Sequence, residues 1–200
     1  MVVKVASFGE ARDAVVSRVE NVPFTVAWVP CKIAGSGLWL CIEDRKKGFA
    51  GGYVELRIDP MSAEIVGLSV LRNPVASTHE SASDTDDLPV VSIGDLPKIA
   101  FGPKVDVSMW EPGPRRIPRR AVVQEARNLE SWRLRNGIYI SFSETKPKKK
   151  IPCGPVEFVV DEGCDLVGIV VMAGDGHRGR LDDRPGRCNR RAGDEQVEGA

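Results

Sequence analysis

The sequence predicts a mainly β, pseudo-twofold protein in which two antiparallel β-meander repeats pack together. Three observations carry that reading. VELRIDPMSAEIVGLSV, from Val54 to Val70, returns as VEFVVDEGCDLVGIVV, from Val156 to Val171. Around both phrases apolar residues alternate with period two, the mark of strands with two different faces. Helical patterning is scarce, and its best stretch is Glu10 to Val19, where Ala14, Val15 and Val19 form one stripe.

The elements follow in chain order. After the expected helix, FTVAWVP reads as a strand near Trp28, and GLWLCIED (Gly37 to Asp44) as the next, with Leu38, Leu40 and Ile42 on one face and Trp39 on the other. YVELRID puts Val54, Leu56 and Ile58 on its apolar face and ends at the turn-forming Asp59-Pro60. AEIVGLSVL closes the first copy with Val66, Leu68 and Val70. Residues 73–89, rich in Ser, Thr and Asp, read as an exposed, polar, acidic linker. Short strands are expected around Ile99 and from Val105 to Met109. NLESWRL and the RNG turn then lead into the second copy. There GIYISFSE matches Ile138, Ile140 and Phe142 to the first copy's apolar face, and Tyr139 to Trp39. PVEFVVD matches Val156, Phe158 and Val160, and CDLVGIVVM matches Val167, Ile169 and Val171. Gly67 and Gly168 fall at the same place in their strands, which predicts a bulge or a close approach, with Trp39 and Tyr139 as the covering side chains. A three-stranded sheet with one apolar face must be covered, and two copies can cover each other, as two packed sheets or as one continuous sheet. The resulting division is 1–72 for the first repeat, 73–89 for the linker, 90–173 for the second repeat and 174–200 for a charged, disordered tail.

Composition narrows the function. Lysine plus arginine equals aspartate plus glutamate, 28 against 28, so no whole-molecule field selects nucleic acid or anionic membrane. No apolar run spans a bilayer, and MVVKVASFGEARD has no secretory h-region, so a cytoplasmic protein is expected. Cys31, Cys41, Cys153, Cys164 and Cys188 form no CxxC pair, and His79 and His177 lack spaced partner ligands, so neither a disulfide framework nor a metal site is expected. No phosphate-cradling glycine loop or nucleophile elbow is present, and no cofactor is implied.

Charged clusters are the candidate binding residues. Arg45, Lys46 and Lys47 in DRKKGF, and Lys146, Lys148, Lys149 and Lys150 in KPKKK, follow matching strands of the two copies. Two basic hairpin tips can grip phosphates or an acidic protein surface, although lysine-rich tips also keep hairpins soluble. PRRIPRR adds Arg115, Arg116, Arg119 and Arg120 on an extended segment suited to phosphate or carboxylate contacts. Glu55 and Glu157 are equivalent in the repeat and could serve acid–base work, but no histidine or nucleophile accompanies them.

IYISFSE followed by PVEFVVDEGCDLVGIVV resembles a family of small bacterial β-domains. The shared pattern is a tyrosine-bearing strand, a variable loop, and an apolar strand ending in Asp before L-V-G-I. Tyr139, Asp161, Leu166, Val167, Gly168 and Ile169 carry the likeness, with Trp39 and the stretch from Asp59 to Leu68 a looser echo. The resemblance implies a non-enzymatic immunity or antitoxin role. The duplication and the charged linker and tail depart from the single-copy pattern. The expected function is therefore a non-catalytic module that binds a partner protein. A nucleic-acid binder using the basic loops, and an enzyme of unknown type, are the alternatives.

Overall fold

A computed structural model describes residues 3–17, 19–29, 38–59, 62–77, 85, 87–91, 95–101 and 121–172. Among them the ordered elements are thirteen β-strands. They are β1 (Val3–Ala11), β2 (Asp13–Ser17), β3 (Phe24–Val29), β4 (Leu38–Asp44), β5 (Gly48–Ile58), β6 (Ile65–Arg72) and β7 (Asp95–Phe101). β8 (Ala121–Arg127), β9 (Glu130–Leu134), β10 (Gly137–Ser141), β11 (Lys149–Cys153), β12 (Val156–Val160) and β13 (Leu166–Met172) complete them. The mainly β class holds. The expected strands around Val105 to Met109, the PRRIPRR segment, both histidines and the tail lie outside the described residues.

The strands form a six-stranded sheet in the order β2-β3-β6-β5-β4-β8, a five-stranded sheet in the order β11-β12-β13-β10-β9, and a ribbon of β1 with β7. All pairings between these strands are antiparallel except β4 with β8, which run parallel. β8 follows the linker in the chain yet lies in the sheet built from the first copy. The inner faces of the two large sheets share one apolar core, including Val26, Trp28, Leu40, Ile42, Leu56, Ile140, Phe158 and Ile169. Trp28 seals it: its ring lies 5.7 Å from that of Phe158, and its Nε1–H donates to the Cys153 carbonyl at 3.2 Å. A buried indole needs such an acceptor.

The repeated phrase is one hairpin used twice. In β5–β6, Val54 faces Val70, Leu56 faces Leu68 and Arg57 faces Gly67, then a bulge precedes Ile58 and Ile65. In β12–β13, Val156 faces Val171, Phe158 faces Ile169 and Val159 faces Gly168, then a bulge precedes Val160 and Leu166. The turns close in the same way, although the first is one residue longer. Asp59 N–H donates to Glu64 O and Ala63 N–H to Asp59 O; Asp161 N–H donates to Asp165 O and Cys164 N–H to Asp161 O. Ala63 and Cys164 both take left-handed backbone, with φ of 60° and 66°. Each turn docks on one edge of the ribbon. Glu64 bridges to Lys98 of β7, while Asp165 bridges to Lys4 of β1. The Glu64 carboxylate, nearly fully covered, also pairs with Arg12.

Several sequence expectations need correction. The expected helix from Glu10 to Val19 falls on β1 and β2. A lone helix so short, with three apolar residues on its stripe, has little to offset nucleation, whereas β3 supplies backbone partners for Asp13 to Ser17. The first copy is a meander, since β4, β5 and β6 are neighbours in order. The second is not, because β10 lies beside β13 and β12 has β11 on its other edge. Loop length is the physical cause. The tight turn at Arg45–Lys47 forces β4 against β5, while residues 142–148 carry the chain past the hairpin turn and let β11 take the edge of β12. Tyr139 covers Gly168 as expected: a Cβ there would lie 2.6 Å from its ring. Gly67 is covered by Arg57 rather than Trp39, with the Arg57 Cβ at 3.4 Å from the position a Cβ would take.

The linker, expected to be exposed, is docked on the sheet where it is described, and Pro74 and Thr85 are buried. Ser77 N–H donates to Ser131 O, and Ser131 N–H to Val75 O, which pins residues 75–77 to the outer edge of β9. Lys150 N–H donates to Pro89 O and Val91 N–H to Lys150 O, which pins residues 89–91 to the outer edge of β11. Leu88 packs with Tyr139, Val159, Val167 and Val170 in a second, smaller core on the outer face of the five-stranded sheet. Both edges of that sheet are thus closed by the chain itself.

Candidate functional site

Of the basic clusters, Arg45, Lys46 and Lys47 are the best constructed. They form the exposed turn between β4 and β5, and the buried Asp44 carboxylate holds it from beneath. Asp44 Oδ1 accepts the backbone N–H groups of Lys46 at 3.0 Å and Lys47 at 2.6 Å. Its Oδ2 accepts Leu129 N–H at 3.4 Å. An aspartate at this position of a turn satisfies amides that the strands leave free. Gly51 makes room for it, since a Cβ there would sit 2.5 Å from Asp44 Oδ1.

The tip is also tied to the end of β8. Arg45 N–H donates to Arg127 O at 2.7 Å, and the Arg45 guanidinium reaches Ala126 O at 3.4 Å. Two clefts flank this corner. One, of about 570 Å³, is lined by Arg45, the β8 residues Gln124 to Arg127, and Phe142 to Glu144. The other, of about 350 Å³, runs past Lys46, Lys47, Asp44 and the docked linker residues Val75 to Ser77. Asn128 and Glu144 border both.

Of the acids at the corner, Glu125, Glu144 and Asp44 are engaged within the molecule, while Glu130 lines the second cleft at an exposed position. Arg127 Nε donates to Glu125 Oε2 at 2.7 Å, and Asn128 Nδ2 donates to Glu144 Oε1 at 2.7 Å. Asp44 is taken up by backbone amides. The exposed cations Arg45, Lys46 and Lys47 therefore dominate what the corner offers to a partner.

The remaining candidates are dispersed. Lys146 and Lys148 sit on the exposed crossing between β10 and β11, two and four positions beyond Glu144. Lys149 and Lys150 belong to strand β11, and Lys150 pairs with Glu157 at 3.5 Å. The two lysine loops are thus not equivalent in space. Arg115, Arg116, Arg119 and Arg120 lie outside the described residues. Sequence reasoning missed Asp44, Asn128, Glu144 and the β8 wall. The Asp ahead of RKKG was a readable turn signal, but the β8 contribution depends on a parallel pairing between distant segments.

The groups considered for catalysis do not converge. Glu55 is on the outward face of the six-stranded sheet, near the Cys41 thiol at 3.9 Å. Glu157 is on the outward face of the other sheet. Cys153 is buried, its Sγ lies 3.3 Å from Asp95 O, and burial pushes its pKa up to about 12. It stays a thiol at neutral pH and makes a poor nucleophile. Burial likewise raises the phenols of Tyr53 and Tyr139. Among the described residues no group of His, Cys, Asp and Glu is arranged to hold a metal, and no helix is long and apolar enough to cross a membrane. No protein-family model matches the chain, and no curated protein matches it.

Proposed function

We propose that the chain is a non-catalytic binding module, working in the cytoplasm, that grips an acidic segment of a partner protein at the Arg45–Lys47 corner. The observation that carries this is the built tip: three exposed cations on a turn whose backbone is fixed by a buried aspartate, between two clefts. A fixed turn loses little freedom on binding, which favours affinity. Cations at the rim of an interface mainly raise the association rate and fix orientation. The immunity or antitoxin class is the one implied by the resemblance of the second copy, and a fixed charged corner suits such a role.

The test is co-expression with each protein encoded by an adjoining reading frame, followed by size exclusion and titration. The expected result is a stoichiometric complex that weakens at least about tenfold when Arg45, Lys46 and Lys47 all become Ser, with a shallower salt dependence. A complex indifferent to that triple change would overturn the corner. Salt-dependent retention on DNA that disappears with the same change, without any protein complex, would instead favour the nucleic-acid reading.

A further inference from the structure

We propose that the free edge of β2 is a self-association surface, on which a second copy of this chain adds its own β2 antiparallel. The proposal stands apart from the corner at Arg45–Lys47, which lies at the other end of the same sheet. Among the described residues, the edges of the five-stranded sheet are closed by residues 75–77 and 89–91, whereas in the six-stranded sheet β2 pairs only with β3, and β8 at the other edge only with β4. An open edge presents unpaired backbone groups, and proteins usually blunt such edges with lysine, proline or an inward charge. β2 reads DAVVS, with its one charge at its first residue, whereas β8 also carries Glu125 and Arg127.

The edge is apolar on both faces. Val16 pairs with Val26 and so shares the inner face, while Val15 pairs with Ala27 on the outer face. Val15 is 47% exposed, Val16 40%, and Val19, just beyond the strand, 49%. Three of the large exposed apolar side chains therefore fall within one short stretch.

Self-pairing explains the occupant. A twofold axis perpendicular to the sheet keeps both inner faces on one side, so only residues of like parity can face each other. Centring the axis on Val15 pairs all five residues of β2. Val15 then meets its own copy, Ala14 meets Val16, and Asp13 meets Ser17. Within β2 itself no like charges come face to face. The two six-stranded sheets would join into one, with the cationic corners near its far ends, about 40 Å apart across the strands at the usual spacing.

Sedimentation equilibrium on the full chain, from about 5 to 500 µM, tests this. The expected result is a reversible monomer–dimer equilibrium. Val15→Lys and Val15→Glu, both at an exposed position, should each weaken association at least about tenfold, because like charges would meet directly across the axis. Mixing the two variants should restore it, since lysine then faces glutamate. A wild-type chain that stays monomeric throughout overturns the proposal. So does a dimer that survives Val15→Lys, or a pair of variants that fails to recover on mixing while each retains its native circular dichroism.

Discussion

At the scale of single residues, the two equivalent glycines show how one sequence position can have different tolerances. A Cβ at Gly168 would lie 2.6 Å from the Ile140 carbonyl oxygen and 2.6 Å from the Tyr139 ring. Backbone cannot give way cheaply, and Tyr139 is held by its stacked neighbour Trp132 at 5.4 Å. At Gly67 the nearest atoms belong to the flexible Arg57 side chain, at 3.3 and 3.4 Å. Gly168→Ala should therefore cost about 2–3 kcal/mol. Gly67→Ala should stay within about 0.5 kcal/mol of the parent chain, because losing a strand glycine offsets the small displacement of Arg57. Urea unfolding of the two variants side by side measures this, and equal midpoints would mean that Tyr139 does not fill the space above Gly168. The aromatic cover over Gly168 was readable from the alternation of Ile138, Tyr139 and Ile140. The arginine cover over Gly67 was not, because nothing in the sequence ranks Arg57 above Trp39 for that place.

At the scale of elements, strands with a clean two-faced alternation were legible, and those at the sheet edges were not. β4, β5, β6, β12 and β13 carry apolar residues at every second position because one face of each is in the core. β2 and β8 are half-exposed edges, so their patterns carry less of that signal, and the stripe of Ala14, Val15 and Val19 mimics a helix. β11 was hidden by KPKKK, since lysines that ride on an outer strand read like lysines in a loop. The linker was the least legible element. Its docking depends on backbone hydrogen bonds that no side-chain pattern reports. Those bonds make a prediction for hydrogen exchange. The amides of Ser77 and Val91, which donate to Ser131 and Lys150 at 2.8 and 3.0 Å, should exchange at least about a hundredfold slower than free peptide amides. Exchange at the free rate would mean that residues 75–77 and 89–91 hang loose, leaving both edges of the five-stranded sheet open.

At the scale of the whole molecule, the repeat does not produce two independent halves. The two hairpins share the bulge beside the turn and the left-handed turn residue, though the first turn is one residue longer, and the copies are built into sheets with different strand orders. They are joined three ways: by the shared core around Trp28 and Phe158, by the β1–β7 ribbon that receives both turns, and by β8 crossing into the first sheet. The candidate corner depends on the last of these, since its β8 wall and the turn at Asn128 come from the second half of the chain. That is why the sequence yielded the basic tip but not the cleft beside it. Calorimetry tests the central claim, that both hairpins share one core, most directly. One core predicts a single thermal transition of the full chain with calorimetric and van't Hoff enthalpies equal to within about 10%. Two resolved transitions, or a calorimetric enthalpy near twice the van't Hoff value, would show the hairpins unfolding as separate units and contradict it.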